Sequence, residues 1–463
     1  MKDELSSKLS PYDQQHVLQF WDELSAAEQS RLAEQVDSID FEQFAQILES
    51  QTGDDITALA QRAEGPPAIR LSSSENRFSP GEARDCGAEV LAAGKVGVLL
   101  VAGGQGTRLG FAHPKGLYPI GAVSGASLLQ IHLEKILATS RQYGVTIPLY
   151  LMTSRITHDE TVAFLAEHER FGLPSDALHV FCQGEMPAVD AVTGRLLLAD
   201  KGQLAMSPDG HGGMLAALSL SGDLADMQSR GIEHVFYLQV DNPAVGVCDE
   251  EFIGYHVLSG SEASTQVVPK QSADERVGNV VAIDGKIRII EYSDMPAEIA
   301  AEHDADGRLK LWAGSTAVHV FDTSLLAQAE RDAASLPWHI AHKKVPYVDP
   351  QGQRVDVVEP NAFKFERFIF DLLPAASGGI VMEIDPAVNY APVKNADGAA
   401  DATPAACREQ MVALHTTWLR EAGVTVEEGT PVEISPLYAR TAEQVRERVS
   451  PEMVIRKPTY LRP

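Results

Sequence analysis

Apolar positions change their rhythm twice along this chain. Up to about residue 75 they recur at helical spacing. There "SAAE" at residues 25–28 has the form of a capping box ahead of "QSRLAEQV", and Asp40 with Gln43 can open the next helix, "FEQFAQIL". The polar, turn-forming stretch "EGPPAIRLSSSENRFSPGEA" then reads as a linker laid over the surface. From Lys95 onward, short apolar runs ("VGVLLV", "PLYLM", "HVFYLQV") alternate with amphipathic segments such as "SLLQIHLEKILATSRQYG" and "DETVAFLAEHERFG". That alternation predicts repeated strand–helix units and a mostly parallel sheet covered by helices. Near Ser264 the runs become consecutive ("STQVVPK", "VGNVVAI", "GKIRIIEYS", "STAVHVF"), which predicts antiparallel strands in the same sheet or beside it. A last region from about residue 405 holds one helix, "CREQMVALHTTWLREAG", and a short strand-rich tail. The expected layout is a helical region over residues 1–75, an α/β domain over 76–400 and a small α+β domain over 401–463.

One loop stands out against this background. The apolar run "VGVLL" leads into "GGQGTRLG" and then "HPKG". Glycines there let backbone N–H groups face a concavity without Cβ obstruction, which makes a nest for anions at the carboxyl end of a strand. Arg108 adds a rigid fork for phosphate oxygens, and Lys115 adds a point charge. Two common phosphate-binding patterns fail on spacing. In the dinucleotide pattern G-x-G-x-x-G, Gly104 and Gly106 fit but the third position is Leu109, and no acid follows until Glu134. A P-loop needs Gly-Lys before Ser or Thr, and here the lysine follows a proline. On spacing alone, a tight glycine turn between solvated cations fits the loop equally well.

Charge sharpens the picture locally. The chain of 463 residues carries a net charge of −27, which disfavours nucleic acid and anionic membrane as partners. Yet residues 95–133 contain no Asp or Glu while Lys95, Arg108 and Lys115 are present, as a polyphosphate pocket requires. The four cysteines are far apart with no C-x-x-C pair, which argues against a zinc ribbon or a disulfide framework and fits a reducing cytoplasm. "MKDELSSKLS" lacks the basic start and apolar core of a signal peptide, and no apolar stretch approaches a membrane span. The fourteen histidines are scattered without metal-ligand spacing.

"LLVAGGQGTRLGFAHPKGLYPIG" resembles the nucleotide-binding signature of the UDP-sugar pyrophosphorylases, most closely the eukaryotic-type UDP-N-acetylglucosamine branch. The similarity continues in the family's order through "CQGEMPA", "SPDGHGG", "QVDNPAVGVCDEEFIGYH", "EYSDMP", "LPWHIAHKKVPYVD", "EPNAFKFERFIFD" and "YAPVKNADG", spanning roughly residues 98–398. The resemblance implies a Rossmann-like, GT-A-like nucleotidyltransferase core with a mixed, mostly parallel sheet, a helical N-terminal region and a small C-terminal α+β domain. It also implies a reaction: UTP and a sugar 1-phosphate give a UDP-sugar and pyrophosphate, assisted by Mg²⁺ or by Mn²⁺ in its place.

Site residues follow from the same resemblance. Val101, Ala102, Gly103 and Gly104 would line the nucleotide, Arg108 and Lys115 would stabilise the triphosphate and the departing pyrophosphate, and Lys394 would be a third catalytic residue that contacts phosphate. Asp241, ending the apolar strand "HVFYLQV", would hold the metal. Gln183 would read uracil, since a primary amide presents a donor beside an acceptor; taken alone, a surface glutamine is the simpler account. Gly210 would approach the nucleotide closely, and Lys364 would contact phosphate. His211, Glu291, Tyr292 and Ser315 would line the sugar. N-acetylglucosamine 1-phosphate is the expected substrate; at positions 211 and 315 the family branch usually carries Asn, and these two departures make glucose 1-phosphate, or broad sugar specificity, its rival. A non-catalytic sugar-nucleotide sensor is a rival of another class; Arg108, Lys115, Asp241 and Lys394 count against it, because a sensor need not neutralise a leaving group.

Overall fold

The computed structural model describes residues 1–49, 56–71, 73–332 and 336–463. The chain divides into two units. The first comprises Met1–Ile56, Gln183–Ala216 and Ala333–Asp371; the second comprises Thr57–Cys182, Ala217–Asp332 and Leu372–Pro463.

The second unit is built on a nine-stranded mixed sheet. In chain order its strands are β1 (Val96–Val101), β2 (Leu149–Thr153), β3 (Leu178–Cys182), β4 (His234–Gln239), β5 (Ala263–Pro269), β6 (Asn279–Ile283), β7 (Lys286–Ile290), β8 (Ala313–Asp322) and β9 (Gly379–Glu383). Across the sheet the order runs β7, β6, β8, β4, β1, β2, β3, and β5 pairs with both β8 and β9. β4, β1, β2 and β3 are mutually parallel. β5, β6, β7 and β8 correspond to the consecutive apolar runs of the sequence. They join the same sheet through antiparallel pairs, with β8 against both β4 and β5.

Val98, Leu99 and Leu100 of β1 are all fully buried, so both faces of the strand are covered. This explains why its sequence is a continuous apolar run without alternation. Each such side chain contributes on the order of 1.5–3 kcal/mol through burial. The helix Leu128–Tyr143 starts at Ser127, whose side chain accepts from the Gln130 N–H, and ends at Gly144 in the left-handed conformation.

The stretch read as a surface linker does more than cover the unit. The Ile69 N–H donates to Val381 C=O at 2.8 Å and Ile69 C=O accepts from Glu383 N–H at 2.9 Å, so residue 69 pairs with the edge of β9. Its end is helical: Ser79 and Glu82 form a reciprocal capping box with Pro80 in the first turn of Pro80–Ala92. The helix-start signal there was hidden among turn-forming residues. Past residue 404, the helix Pro404–Glu421 and short strands enclose their own small core around Leu419, Val432, Ile434 and Val445.

The first unit gathers three distant segments. Its helices Ala26–Asp37 and Phe41–Glu49 start where the sequence predicts, with the Ser25–Glu28 box formed and Asp40 Oδ1 accepting from the Gln43 N–H at 3.0 Å. Leu9, Leu32 and Val36 pack into one core with Val189, Leu204 and Phe365 from the later segments. Among the described residues, no helix is long and apolar enough to cross a membrane.

Candidate active site

Parallel pairing puts the chemistry in one place within the second unit. β1 and β4 are neighbours in register from Val96↔His234 to Val101↔Gln239, so the glycine loop and Asp241 leave the sheet from adjacent strand ends. In open α/β sheets, ligands bind in the crevice outside such carboxyl ends.

The loop folds back on itself. The Gly106 N–H donates to His113 C=O at 2.9 Å, and the Lys115 N–H donates to Gly104 C=O at 3.0 Å. Ser154, just past β2, donates its hydroxyl to Gly103 C=O at 2.7 Å. The glycines have different reasons to be there. A Cβ on Gly106 would sit 2.7 Å from the Phe111 ring and 2.9 Å from His113 C=O, so its bareness serves the turn itself. A Cβ on Gly104 would meet no protein atom within 4 Å, so its bareness faces open space. Arg108 is exposed, and among the described residues it has no carboxylate partner.

The Lys115 ammonium reaches Asp241 Oδ2 at 3.1 Å, and both side chains are mostly buried. Asp241 C=O accepts from the Val393 N–H at 2.8 Å, which anchors the segment carrying Lys394 next to it. Burial pushes the Asp241 carboxyl up, but Lys115 and Lys394 outweigh that and hold it below the usual carboxylate range. Burial likewise pulls the Lys394 ammonium down, and Tyr390, Asp241, Glu291 and Tyr292 more than offset it. The structure thus brings Arg108, Lys115, Asp241 and Lys394 into the second unit with Val101, Ala102, Gly103 and Gly104.

The sugar candidates of this unit also converge. The Ser315 N–H donates to Gly278 C=O at 2.8 Å, and a Cβ on Gly278 would lie 3.3 Å from Glu291 Oε1 and 3.7 Å from Ser315 Cβ. Ser315 Oγ accepts from the Ala317 N–H at 3.2 Å, which supports a left-handed Ala317 and leaves the hydroxyl proton to donate. Tyr292 is 48% exposed.

The remaining candidates lie in the first unit. Gln183 follows β3 and is half-buried. Lys364 sits in the strand Ala362–Glu366, opposite Ala341. Gly210 has φ +81°, and a Cβ there would lie 2.4 Å from Arg367 C=O. His211 Nδ1 accepts from the Ile369 N–H at 3.3 Å, and burial, with His339 adding to it, pushes the imidazole down to about 4. At neutral pH His211 is therefore an uncharged ring, closer to the amide it replaces than a cation would be.

Sequence reasoning missed the supports of the site. Asn242 caps the Asp241 turn, donating to Asn389 C=O at 3.0 Å and accepting from the Ala391 N–H at 2.9 Å. Asp209, 4% exposed, pairs with Arg367 at 2.9 Å behind the glycines at 210, 212 and 213. Their signal was adjacency to motif residues: Asn242 follows Asp241, and Asp209 precedes Gly210.

Comparison with known proteins adds four findings. The family model described as UTP–glucose-1-phosphate uridylyltransferase matches residues 41–425. The chain is 37% identical over 440 residues to the UDP-N-acetylhexosamine pyrophosphorylase-like protein 1 of Xenopus tropicalis, covering 90% of this chain and 85% of that one. It is 35% identical over 455 residues to the UDP-N-acetylglucosamine pyrophosphorylase of Saccharomyces cerevisiae, covering 93% and 94%. In three dimensions it is similar to the crystal structure of the uridine diphosphate N-acetylglucosamine pyrophosphorylase of Trypanosoma brucei, with TM-score 0.83, 27% identity and 98% of each chain covered.

Proposed function

The chain belongs to the UTP–glucose-1-phosphate uridylyltransferase family and is a nucleotidyltransferase, and from that premise we propose that it joins UTP to N-acetylglucosamine 1-phosphate, releasing pyrophosphate and UDP-N-acetylglucosamine. The observation that carries this reading is the grouping of Lys115, Asp241 and Lys394 at strand ends beside the glycine loop. The sugar is supported by the names of the relatives in Xenopus and yeast and by the neutral state of His211.

The attacking group is a phosphate oxygen, already ionised at neutral pH, so the protein needs no general base. It needs in-line placement of two repelling phosphates and neutralisation of charge on the departing pyrophosphate. In this reading the N–H groups around Gly103 and Gly104 cradle the triphosphate, while Arg108 and Lys115 hold its outer phosphates. Lys394 holds the incoming sugar phosphate against the α-phosphate, and Lys364 contacts phosphate. Gln183 reads uracil, Gly210 leaves room for the nucleotide, and His211, Glu291, Tyr292 and Ser315 hold the sugar.

Asp241 suits a hard divalent cation, because its neighbours keep it ionised and it offers oxygen only. Held there, Mg²⁺ or Mn²⁺ supplies positive charge to the triphosphate oxygens. The four separated cysteines support a reducing, cytoplasmic setting.

Incubation with UTP, Mg²⁺ and the 1-phosphates of N-acetylglucosamine, N-acetylgalactosamine, glucose and galactose tests the proposal through pyrophosphate release. The highest kcat/KM is expected with N-acetylglucosamine 1-phosphate. A preference for glucose 1-phosphate overturns the sugar assignment, and no pyrophosphate from any of the four overturns the reaction.

A further inference from the structure

The far end of β4 from Asp241 carries a second constellation. His234 opens β4 and Asp322 closes β8, and the two are register partners in the antiparallel pair. His256 reaches them from the helix Glu250–Leu258. Asp322 Oδ1 lies 2.8 Å from His234 Nδ1 and 2.9 Å from His256 Nε2, and the three ligating atoms all fall within 4.8 Å of one another. His256 is fully buried, and its Nδ1 lies 2.7 Å from Ser264 Oγ. His234 and Asp322 face a cavity of about 430 Å³, lined also by Gln228, Glu233, Thr323 and Ser324.

We propose that His234, His256 and Asp322 form a binding site for a borderline divalent transition ion, foremost Zn²⁺, separate from the phosphate chemistry. Two imidazoles and one carboxylate suit zinc and its neighbours, with water from the cavity filling the open positions. Ligands about 2.0–2.1 Å from a tetrahedral ion have donor atoms about 3.3 Å apart. The two separations here, 2.8 and 2.9 Å, are hydrogen-bond lengths that need open by only about 0.5 Å to admit it. Ser264 supplies the outer contact that orients such a histidine.

In the metal-free protein both rings donate to Asp322 through the atoms that would bind the ion. With the ion bound, each ring carries its N–H on its other nitrogen: Nε2 in His234, and Nδ1 in His256, where Ser264 Oγ accepts it. Asp241 lies seven positions beyond His234, roughly 20 Å of extended chain, so an ion here touches no reacting phosphate. The nitrogen donors also discriminate against Mg²⁺, which prefers oxygen.

The test uses full-length protein stripped with a chelator and kept in excess Mg²⁺. Zn²⁺ binding is read by calorimetry, Co²⁺ binding by its visible d–d absorption, and thermal midpoint with and without Zn²⁺. Expected are one Zn²⁺ per chain, a cobalt spectrum with nitrogen ligation and a raised midpoint. His234→Gln and Asp322→Asn each weaken binding by more than about tenfold, while Asp241→Asn leaves it unchanged. His234 is partly exposed, so its variant remains informative if replacement of buried His256 impairs folding. Turnover in His234→Gln stays at the wild-type level, which separates this site from the reaction. No zinc binding in the wild type, or equally tight binding in His234→Gln, overturns the proposal and leaves a hydrogen-bonded triad that ties β4, β8 and the helix together.

Discussion

Lys115 Nζ stands 3.1 Å from Asp241 Oδ2 across 126 positions of sequence, so the cation of the loop and the carboxylate just past β4 form one charged unit before any substrate arrives. Lys115→Ala and Asp241→Ala are each expected to lower kcat by about 10²–10³, the usual scale for removing one preorganised charge contact. The double variant should lose less than the product of the two, because paired residues act non-additively. Pre-steady-state and steady-state rates on the four proteins check this, with circular dichroism confirming the fold. Near-wild-type turnover in either single variant refutes the assigned roles. The depressed carboxyl of Asp241 stabilises the fold fully above pH about 4, and that contribution disappears only as pH falls below the ordinary value of 3.8.

The glycines of the two loops should separate stability from binding. Gly104→Ala places its methyl in open space, so the thermal midpoint should hold while the KM for UTP rises. Gly210→Ala forces a side chain at φ +81° and against Arg367 C=O, and should destabilise by about 1–3 kcal/mol or more. Denaturant melts and UTP titrations on both variants measure the contrast. Destabilisation by Gly104→Ala with unchanged UTP binding would contradict the cradle.

Restoring the amide at the two departures tests the sugar reading. Ser315→Asn and His211→Asn are expected to change the ratio of kcat/KM for N-acetylglucosamine over glucose 1-phosphate while leaving the KM for UTP nearly constant. Because burial holds His211 down to about 4, the ring is neutral throughout pH 5–8. Wild type and His211→Asn should therefore share the same pH–rate profile over that range. A limb near pH 6.5 that vanishes in the variant would show that His211 titrates during turnover.

Acid should weaken the fold through histidines kept neutral inside it. Burial pushes His132 from 6.5 down to about 3, and its Nε2 donates to Val240 C=O at 3.2 Å. Burial, with Lys135 adding to it, pushes His415 down to about 4, and its Nδ1 accepts from the Ile434 N–H at 3.3 Å. The unfolded chain binds these protons first, so stability falls as pH drops from 6.5 towards the native values, by up to about 1.4 kcal/mol per pH unit for each ring. The slope of stability against pH between 6.5 and 4.5 should be shallower in His132→Leu, whatever its stability at neutral pH. An unchanged slope removes His132 from the account.

Local chemistry was written plainly in the chain. Apolar runs gave β1, β2, β4 and the later antiparallel strands, and Ser25 and Asp40 marked their helix starts, because these signals act between residues a few positions apart. The loop from Gly103 to Lys115 and the carboxylate at Asp241 were readable for the same reason: a motif keeps its spacing in sequence. Only the tertiary structure decided that Leu32, Val189 and Phe365 share one core, that Lys394 is tied beside Asp241 through Val393, and that His234, His256 and Asp322 converge. Each of these depends on strand register and helix packing across tens to hundreds of residues, and such separations leave no periodicity to read. The protonation of His211 belongs with them, since burial and the neighbouring His339 set it, and neither is visible from "SPDGHGG" alone.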